Sequence, residues 1–361
     1  MLLEFLIRAG LYIINCEVVS DERYINTYKL SLYKMEQISI VVPSSSANVG
    51  LGYDIWCLGL EQPQLKVTYT KRTRPGIEFE AKSPYQPPTG RELGYAGHVA
   101  LDKFLKERGI NEGAHLYYED DGFPVGGLGR SGAEAVGAIM AAAVIYGIKL
   151  SRNDVVIASA KGEPGGHKDN VAASTNGRLN IIVPSTPYTS KPSVDFYDVP
   201  EDLGLAIGFS SYQKTSTEAG RKVVRRPVKV KDFVEQTGLI SAATAAIVTG
   251  NTERFLELVW GDRFHQPRRA HVRFYGDFDD NDFTGLQRKL FEEFHVAWDA
   301  SGAGPNMQAK YTRKQYPNGI VESISSVVVP WFADRGINLK LEEKVLAKEG
   351  AYDYAQRHYN Y

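Results

Sequence analysis

The segment DGFPVGGLGRSGAEAVGAIMAAAVIYG, Asp121–Gly147, decides how this chain is read. Gly126, Gly127 and Gly129 crowd into a short loop behind Pro124, and an alanine-rich run follows. The run predicts a buried helix from about Gly132 to Tyr146. Glycine lacks a Cβ and tolerates positive φ, so such a loop lets backbone amides close on an anion. Exposed amides at the helix start, helped by the helix dipole, favour a phosphate at the same place. A serine hydroxyl there, Ser131, can ligate Mg²⁺. The loop is neither GxxxxGK[ST] nor GxGxxG, and a plain glycine turn before a buried helix is the alternative. Arg130 stands in the middle of it, where its side chain reaches a phosphate, a second substrate or solvent.

Outward from the loop, the whole chain has 361 residues, enough for two domains at about 100–200 residues each. Hydrophobic residues make up 43% and charged residues 24%, the composition of a soluble globular protein. With 42 basic and 43 acidic residues the net charge is −1, which supports neither a nucleic-acid nor a membrane partner. Two cysteines, Cys16 and Cys57, make neither a zinc site nor a disulfide framework, so a reducing cytoplasm is expected. The apolar start MLLEFLIRAGLYIINC is broken by Glu4 and Arg8, too soon for a membrane span. Residues 1–36 read as an added strand, an interaction arm or the product of an upstream start codon.

Strands are predicted at Ile38–Pro43, Pro63–Arg72, AHLYYEDD, GRLNIIVPS and Leu203–Ser211. Ser83–Glu92, rich in proline and turn residues, reads as a loop. Helices are predicted at Leu93–Gly109, at SRNDVVIASAKGE behind a serine cap, and in VKDFVEQTGLISAATAAIVTG, NTERFLELVWGDRFHQPRR and GLQRKLFEEFHVA. GIVESISSVVVPWFADRG mixes strand and helix. The expectation is an α+β two-domain protein: an N-terminal extension at 1–36, one domain at 37–185 and a second at 186–361.

Further polar groups gather on glycine-flexed segments. VVPSSSANVGLGYDIWCLGL carries Asn48 and Asp54, short side chains suited to an ammonium or hydroxyl, or to an Asx turn and a cap. GEPGGHKDNVAAS carries Glu163, His167, Asp169 and Asn170; His167 alone would pass for a loop histidine, but the cluster argues otherwise. STEAGRKVV holds Thr217 and Arg221, GDRFHQPRR holds Arg263, Arg268 and Arg269, and SGAGPNMQA is a glycine hinge with Gly302 that could lie against the glycine loop.

These segments together, in this order, resemble the GHMP kinase superfamily and, within it, the homoserine kinase branch. SSSANVGLGYD, GGHKDNVA and DRFHQP carry the resemblance most specifically. It implies a two-domain kinase that takes ATP and Mg²⁺, has a small hydroxylated acceptor carrying a carboxylate, and forms a homodimer. Pro124, Gly126, Gly127, Leu128, Gly129, Arg130, Ser131 and Gly132 would hold the nucleotide, and Ser131 and Glu163 the metal. Asn48, Asp54, His167, Asp169, Asn170, Thr217 and Gly302 would face the acceptor. Arg221, Arg268 and Arg269 would clamp its carboxylate, since arginine offers a fork of donors. Asp169, Asn170 and Ser131 are the candidate catalytic residues, with Asp169 orienting the acceptor hydroxyl in line with the γ-phosphate.

The chain departs from the family pattern at Arg130, where serine is usual, at Arg268 in QPRR, and at Asn306 and Met307. Homoserine is the favoured acceptor. A paralogue acting on another hydroxy acid, or a protein of this fold that binds without catalysis, is the alternative.

Overall fold

The computed structural model describes residues 11–20, 26–34, 36–85, 92–124, 126–213, 217–225 and 227–361. Within the expected N-terminal extension, β1 (Leu11–Ser20) and β2 (Asn26–Lys34) pair as an antiparallel ribbon. β3 (Gln37–Ala47) and β4 (Trp56–Arg72) form the central pair of the first sheet. Burial alternates over the first residues of β3 and becomes continuous over Val42–Ala47, where the strand runs into the site. β5 (Ile77–Lys82), α1 (Tyr95–Lys106), β6 (Gly113–Glu119) and α2 (Arg130–Ile145) follow. Next come α3 (Arg152–Ser159), α4 (Asp169–Asn176), β7 (Leu179–Val183) and β8 (Ser193–Tyr197). The strand order is β5–β6–β4–β7–β8, with β3 also on β4; only β5 and β6 run parallel.

α2 is apolar on nearly every side and lies buried against β3 and β4, as an all-round hydrophobic helix must. Ser151 starts α3 with a capping box, its side chain bonded to the Asp154 amide and that of Asp154 to its own.

The second half supplies β9 (Leu203–Ser210), α5 (Thr217–Val224), α6 (Val230–Val248), α7 (Thr252–Val259), α8 (His265–His271) and α9 (Asp280–Phe294). β10 (Ala297–Ala300), β11 (Met307–Thr312), α10 (Val321–Ala333), β12 (Leu339–Lys344) and α11 (Ala351–Tyr359) complete it. These strands form an antiparallel sheet, β10–β11–β9–β12. The fold is mixed α+β with helices and sheets in both halves.

The two sheets do not divide the chain at residue 185. β8 still pairs with β7 in the first sheet. α11 returns to that sheet from the C-terminus, burying Ala351 and Ala355 in its core and donating from the Tyr359 hydroxyl to the Ser39 carbonyl at 2.7 Å. The helix expected over NTERFLELVWGDRFHQPRR breaks into α7 and α8, because Asp262 caps the second piece by accepting from the amides of His265 and Gln266. The strand expected in GIVESISSVVVPWFADRG is absent; its apolar residues form α10. Part of the loop expected at Ser83–Glu92 lies outside the described residues. Among those residues no helix is long and apolar enough to cross a membrane.

Candidate active site

The glycine loop runs into α2 with Gly129 as its N-cap, at φ 69°. A Cβ at Gly129 would lie 2.6 Å from Asn170 Oδ1 and closer still to Ser45 Oγ, so only glycine fits there. Successive carbonyls of the loop are tied into the protein. Gly126 accepts from Asn306 Nδ2 at 2.8 Å, Gly127 from the Ser301 hydroxyl, Leu128 from the Ser45 amide at 3.1 Å, and Gly129 from the Ala133 amide at 3.0 Å. No described residue accepts from the amides of Gly127, Leu128, Gly129, Arg130, Ser131 or Gly132. Carbonyls turned into protein and amides left unpaired at a helix N-terminus make an anion cradle. Pro124 and Gly126 sit half-buried at its edge.

Arg130 does not join that cradle with its side chain, which corrects the phosphate contact expected of it. The residue is 3% exposed. Its guanidinium donates to Asp120 Oδ2 at 2.7 Å, to Glu134 Oε1 at 3.1 Å and to the Phe123 carbonyl. These partners hold the side chain out of solvent. Burial raises the Glu134 carboxyl to about 7, against the Gly94 amide and Arg130, which favour its ionised form.

Facing the loop, α4 begins with Asp169 and Asn170. Asn170 Oδ1 accepts from Ser45 Oγ at 2.9 Å and abuts Gly129, so the acceptor cluster and the cradle touch at this residue. Asp169 Oδ1 lies 2.9 Å from His167 Nδ1 and also accepts from the Asn170 amide. The other ring nitrogen, Nε2, is 3.0 Å from Glu163 Oε2. Burial alone would lower the His167 pKa, but its bonds to Asp169 and Glu163 outweigh burial and push it up to about 10. Burial alone would raise Asp169; the hydrogen bond and charge of His167 instead hold it below the usual carboxylate range.

Asp54 and Arg221 form a two-pronged pair, Nη1–Oδ2 2.9 Å and Nη2–Oδ1 2.7 Å, across 167 residues of sequence. Burial and the negative charge of Asp169 raise Asp54, against the pull of Arg221. Tyr53 lies between two arginines, its ring centroid 5.9 Å from the Arg221 guanidinium carbon and 5.4 Å from that of Arg269. Asn48 is buried and holds the turn: Nδ2 donates to the Gly302 carbonyl at 2.6 Å and Oδ1 accepts from the Asp54 amide at 3.1 Å. The Gly302 amide donates to the Ala47 carbonyl at 2.9 Å, and Ser301 and Asn306 bring the glycine hinge against the glycine loop as expected through the carbonyls of Gly127 and Gly126.

The expected carboxylate clamp loses two of its three arginines. Arg268 turns away and donates to the carbonyls of Val224 and Pro227, capping the end of α5. Arg269 is 1% exposed and donates to the carbonyls of Gly220 and Gly302. Arg263 lies on the surface, 3.9 Å from Glu235. Thr217 opens α5, but its side chain lies outside the described residues, as does Ser216. Ser45, Ser301, Asp120 and Glu134 were not singled out from sequence, although the spacing of Arg130 and Glu134, four apart on a helix, already pairs them; Asn306 was noted only as a departure from the family pattern, not as a partner of the loop.

The residues present fit nucleotide and magnesium. Glu163 Oε1 is buried without a partner, and the half-buried Ser131 hydroxyl on the first turn of α2 has none either. Among the described residues no three carboxylates, histidines or cysteines gather as a complete metal cage.

Residues 95–178, which contain α1, β6, the glycine loop, α2, α3 and α4, match the family described as GHMP kinases N terminal domain. Over that segment the chain is similar to the GHMP kinase superfamily. Within it, the chain is 28% identical over 277 residues to a homoserine kinase of Methanococcus maripaludis, covering 75% of this chain and 86% of that one. It is 28% identical over 293 residues to a homoserine kinase of Staphylococcus aureus, covering 81% and 92%. A homoserine kinase structure from Cytophaga hutchinsonii superposes with TM-score 0.72 at 19% identity, covering 90% of this chain and 99% of that one. The L. major mevalonate kinase in complex with R-mevalonate superposes with TM-score 0.59 at 15% identity, covering 86% and 97%. At those identities the two structures speak for the fold.

Proposed function

We propose that this chain transfers the γ-phosphoryl group of ATP to the side-chain hydroxyl of L-homoserine, giving O-phospho-L-homoserine, a step of threonine biosynthesis. The observation that carries the reading is the run of unpaired amides from Gly127 to Gly132 at the head of α2. A polyphosphate satisfies them and gains from the helix dipole. The similar chains named homoserine kinase, matched over most of their length, supply the acceptor.

Ser131 and Glu163 are the residues that would hold magnesium. When bound, the metal neutralises phosphate charge during transfer. The loop fixes the phosphates, so positioning supplies much of the rate. The Asp54–Arg221 pair suits a zwitterionic amino acid: Asp54 meets the ammonium and Arg221 the carboxylate, each charge exchanging one partner for another. His167, charged between Glu163 and Asp169, keeps Asp169 ionised and fixed. A carboxylate whose pKa is lowered is a weaker base. Asp169 therefore orients the hydroxyl by accepting its hydrogen bond, and Asn170 carries that geometry to Gly129.

The test is ADP release with magnesium, ATP and a panel of homoserine, threonine, mevalonate, shikimate and pantoate. Homoserine is expected to be used fastest. A faster rate with another member would overturn the acceptor, and no ADP above background with any of them would overturn the kinase reading.

A further inference from the structure

The geometry points to Arg130 as a positioning residue for the nucleotide: we propose that it sets the phosphate loop from below, through Asp120 and Glu134, without touching a phosphate. This rests on the reading that the loop binds ATP.

Arg130 follows the last glycine of the loop, and Asp120 precedes its first turn. Their 2.7 Å ion pair joins the two ends, so the segment between them is closed like a ring. The same guanidinium donates to the Phe123 carbonyl inside the ring, and to Glu134 one turn along α2. Asp120 is itself fully engaged. Its Oδ1 accepts from Ser83 Oγ at 2.9 Å, from the Gly122 amide at 2.8 Å and from the Phe123 amide at 2.6 Å. One planar cation thus fixes the start of the loop, its middle and the helix that follows.

Asn306 and Ser301 hold the same loop from the other side, through the carbonyls of Gly126 and Gly127. Arg130 and Asn306 are both departures from the family pattern, and both meet loop carbonyls. Serine at position 130 could not reach Asp120, Glu134 and Phe123 together. Lysine would keep the charge but lose the fork of donors. Removal of Arg130 would leave two buried carboxylates without their counter-ion, and the loop would relax to let water reach them.

The test is calorimetric titration of Mg·ATP into the parent, Arg130→Ser and Arg130→Lys, with steady-state kinetics for the acceptor. Both variants should bind ATP about tenfold to a hundredfold more weakly, since small misplacements cost that much, while the homoserine KM stays within about twofold. Near-parental ATP affinity in either variant would overturn the proposal, as would a parallel rise in both KM values. Asp120→Asn keeps the shape of the ring and weakens its closure, so it serves if the Arg130 variants do not fold. It should show the same ATP-selective loss, and parental ATP affinity in folded Asp120→Asn would overturn the clamp. A parent that binds no ATP would overturn both this proposal and the reading of the loop; a parent that binds ATP beside unaffected variants would overturn the clamp alone.

Discussion

On the nucleotide side of the site, the carbonyls of Gly126, Gly127, Leu128 and Gly129 all accept from the protein, and the amides that follow are unpaired. On the acceptor side, Asp54 is paired with Arg221, and His167 with both Asp169 and Glu163. Backbone prepares the first region before any ligand arrives. Charged side chains hold the second, and an incoming zwitterion must exchange partners with one of those pairs. Loss of charge from the Asp54–Arg221 or His167 pairs should therefore fall on the acceptor side, and perturbations of loop shape, at Gly129 or through the Arg130 clamp, on ATP.

The largest effect is expected at His167. Its folded pKa, about 10, lies above the ordinary 6.5. The stabilisation it supplies is whole below pH 6.5 and fades as pH rises through 10. Asp169 has the opposite sign: its contribution is present above the ordinary 3.8 and is lost as pH falls through its lowered value. His167→Ala leaves Asp169 and Glu163 buried without a counter-ion and should cost about 3–5 kcal/mol in chemical denaturation. The variant should also lose the decline in stability expected of the parent as pH rises from 6.5 through about 10. An unchanged pH profile would contradict a charged His167.

Arg221→Ala comes next. It should lower kcat/KM for homoserine by about 2–5 kcal/mol and leave ATP affinity near the parental value. Equal losses for both substrates would erase the contrast between the two regions. Gly129→Ala is the converse. A side chain at φ 69°, crowded by Ser45 and Asn170, should cost on the order of 2 kcal/mol, read first as weaker ATP binding. Arg268→Ala should be the mildest. Losing its bonds to the end of α5 should lower stability by about 1 kcal/mol while both KM values hold. A selective rise in the acceptor KM would restore Arg268 to the carboxylate clamp.

Much of this was legible in the chain itself. The α2 helix, β3, β4 and the Ser151 cap follow from periodicity and capping chemistry, which are local. β5, β8 and β10–β12 were missed because their partners, not their own residues, define them; β8 is a largely exposed edge strand. The return of α11 to the first sheet has no local signal at all. Within the site, Asp54, His167, Asp169, Asn170 and Arg221 come together as the motifs suggested. The arginines were misjudged for one reason: a sequence shows a charge but not which way it turns. Arg130, Arg268 and Arg269 all point at carboxylates or backbone carbonyls of their own protein.

The most direct test of the account is ³¹P NMR of the reaction of this protein with Mg·ATP and L-homoserine. The account predicts loss of the γ-phosphate resonance matched by a phosphomonoester on homoserine, with ADP in equal amount. Inorganic phosphate in place of the ester, or an unchanged ATP spectrum, would contradict it.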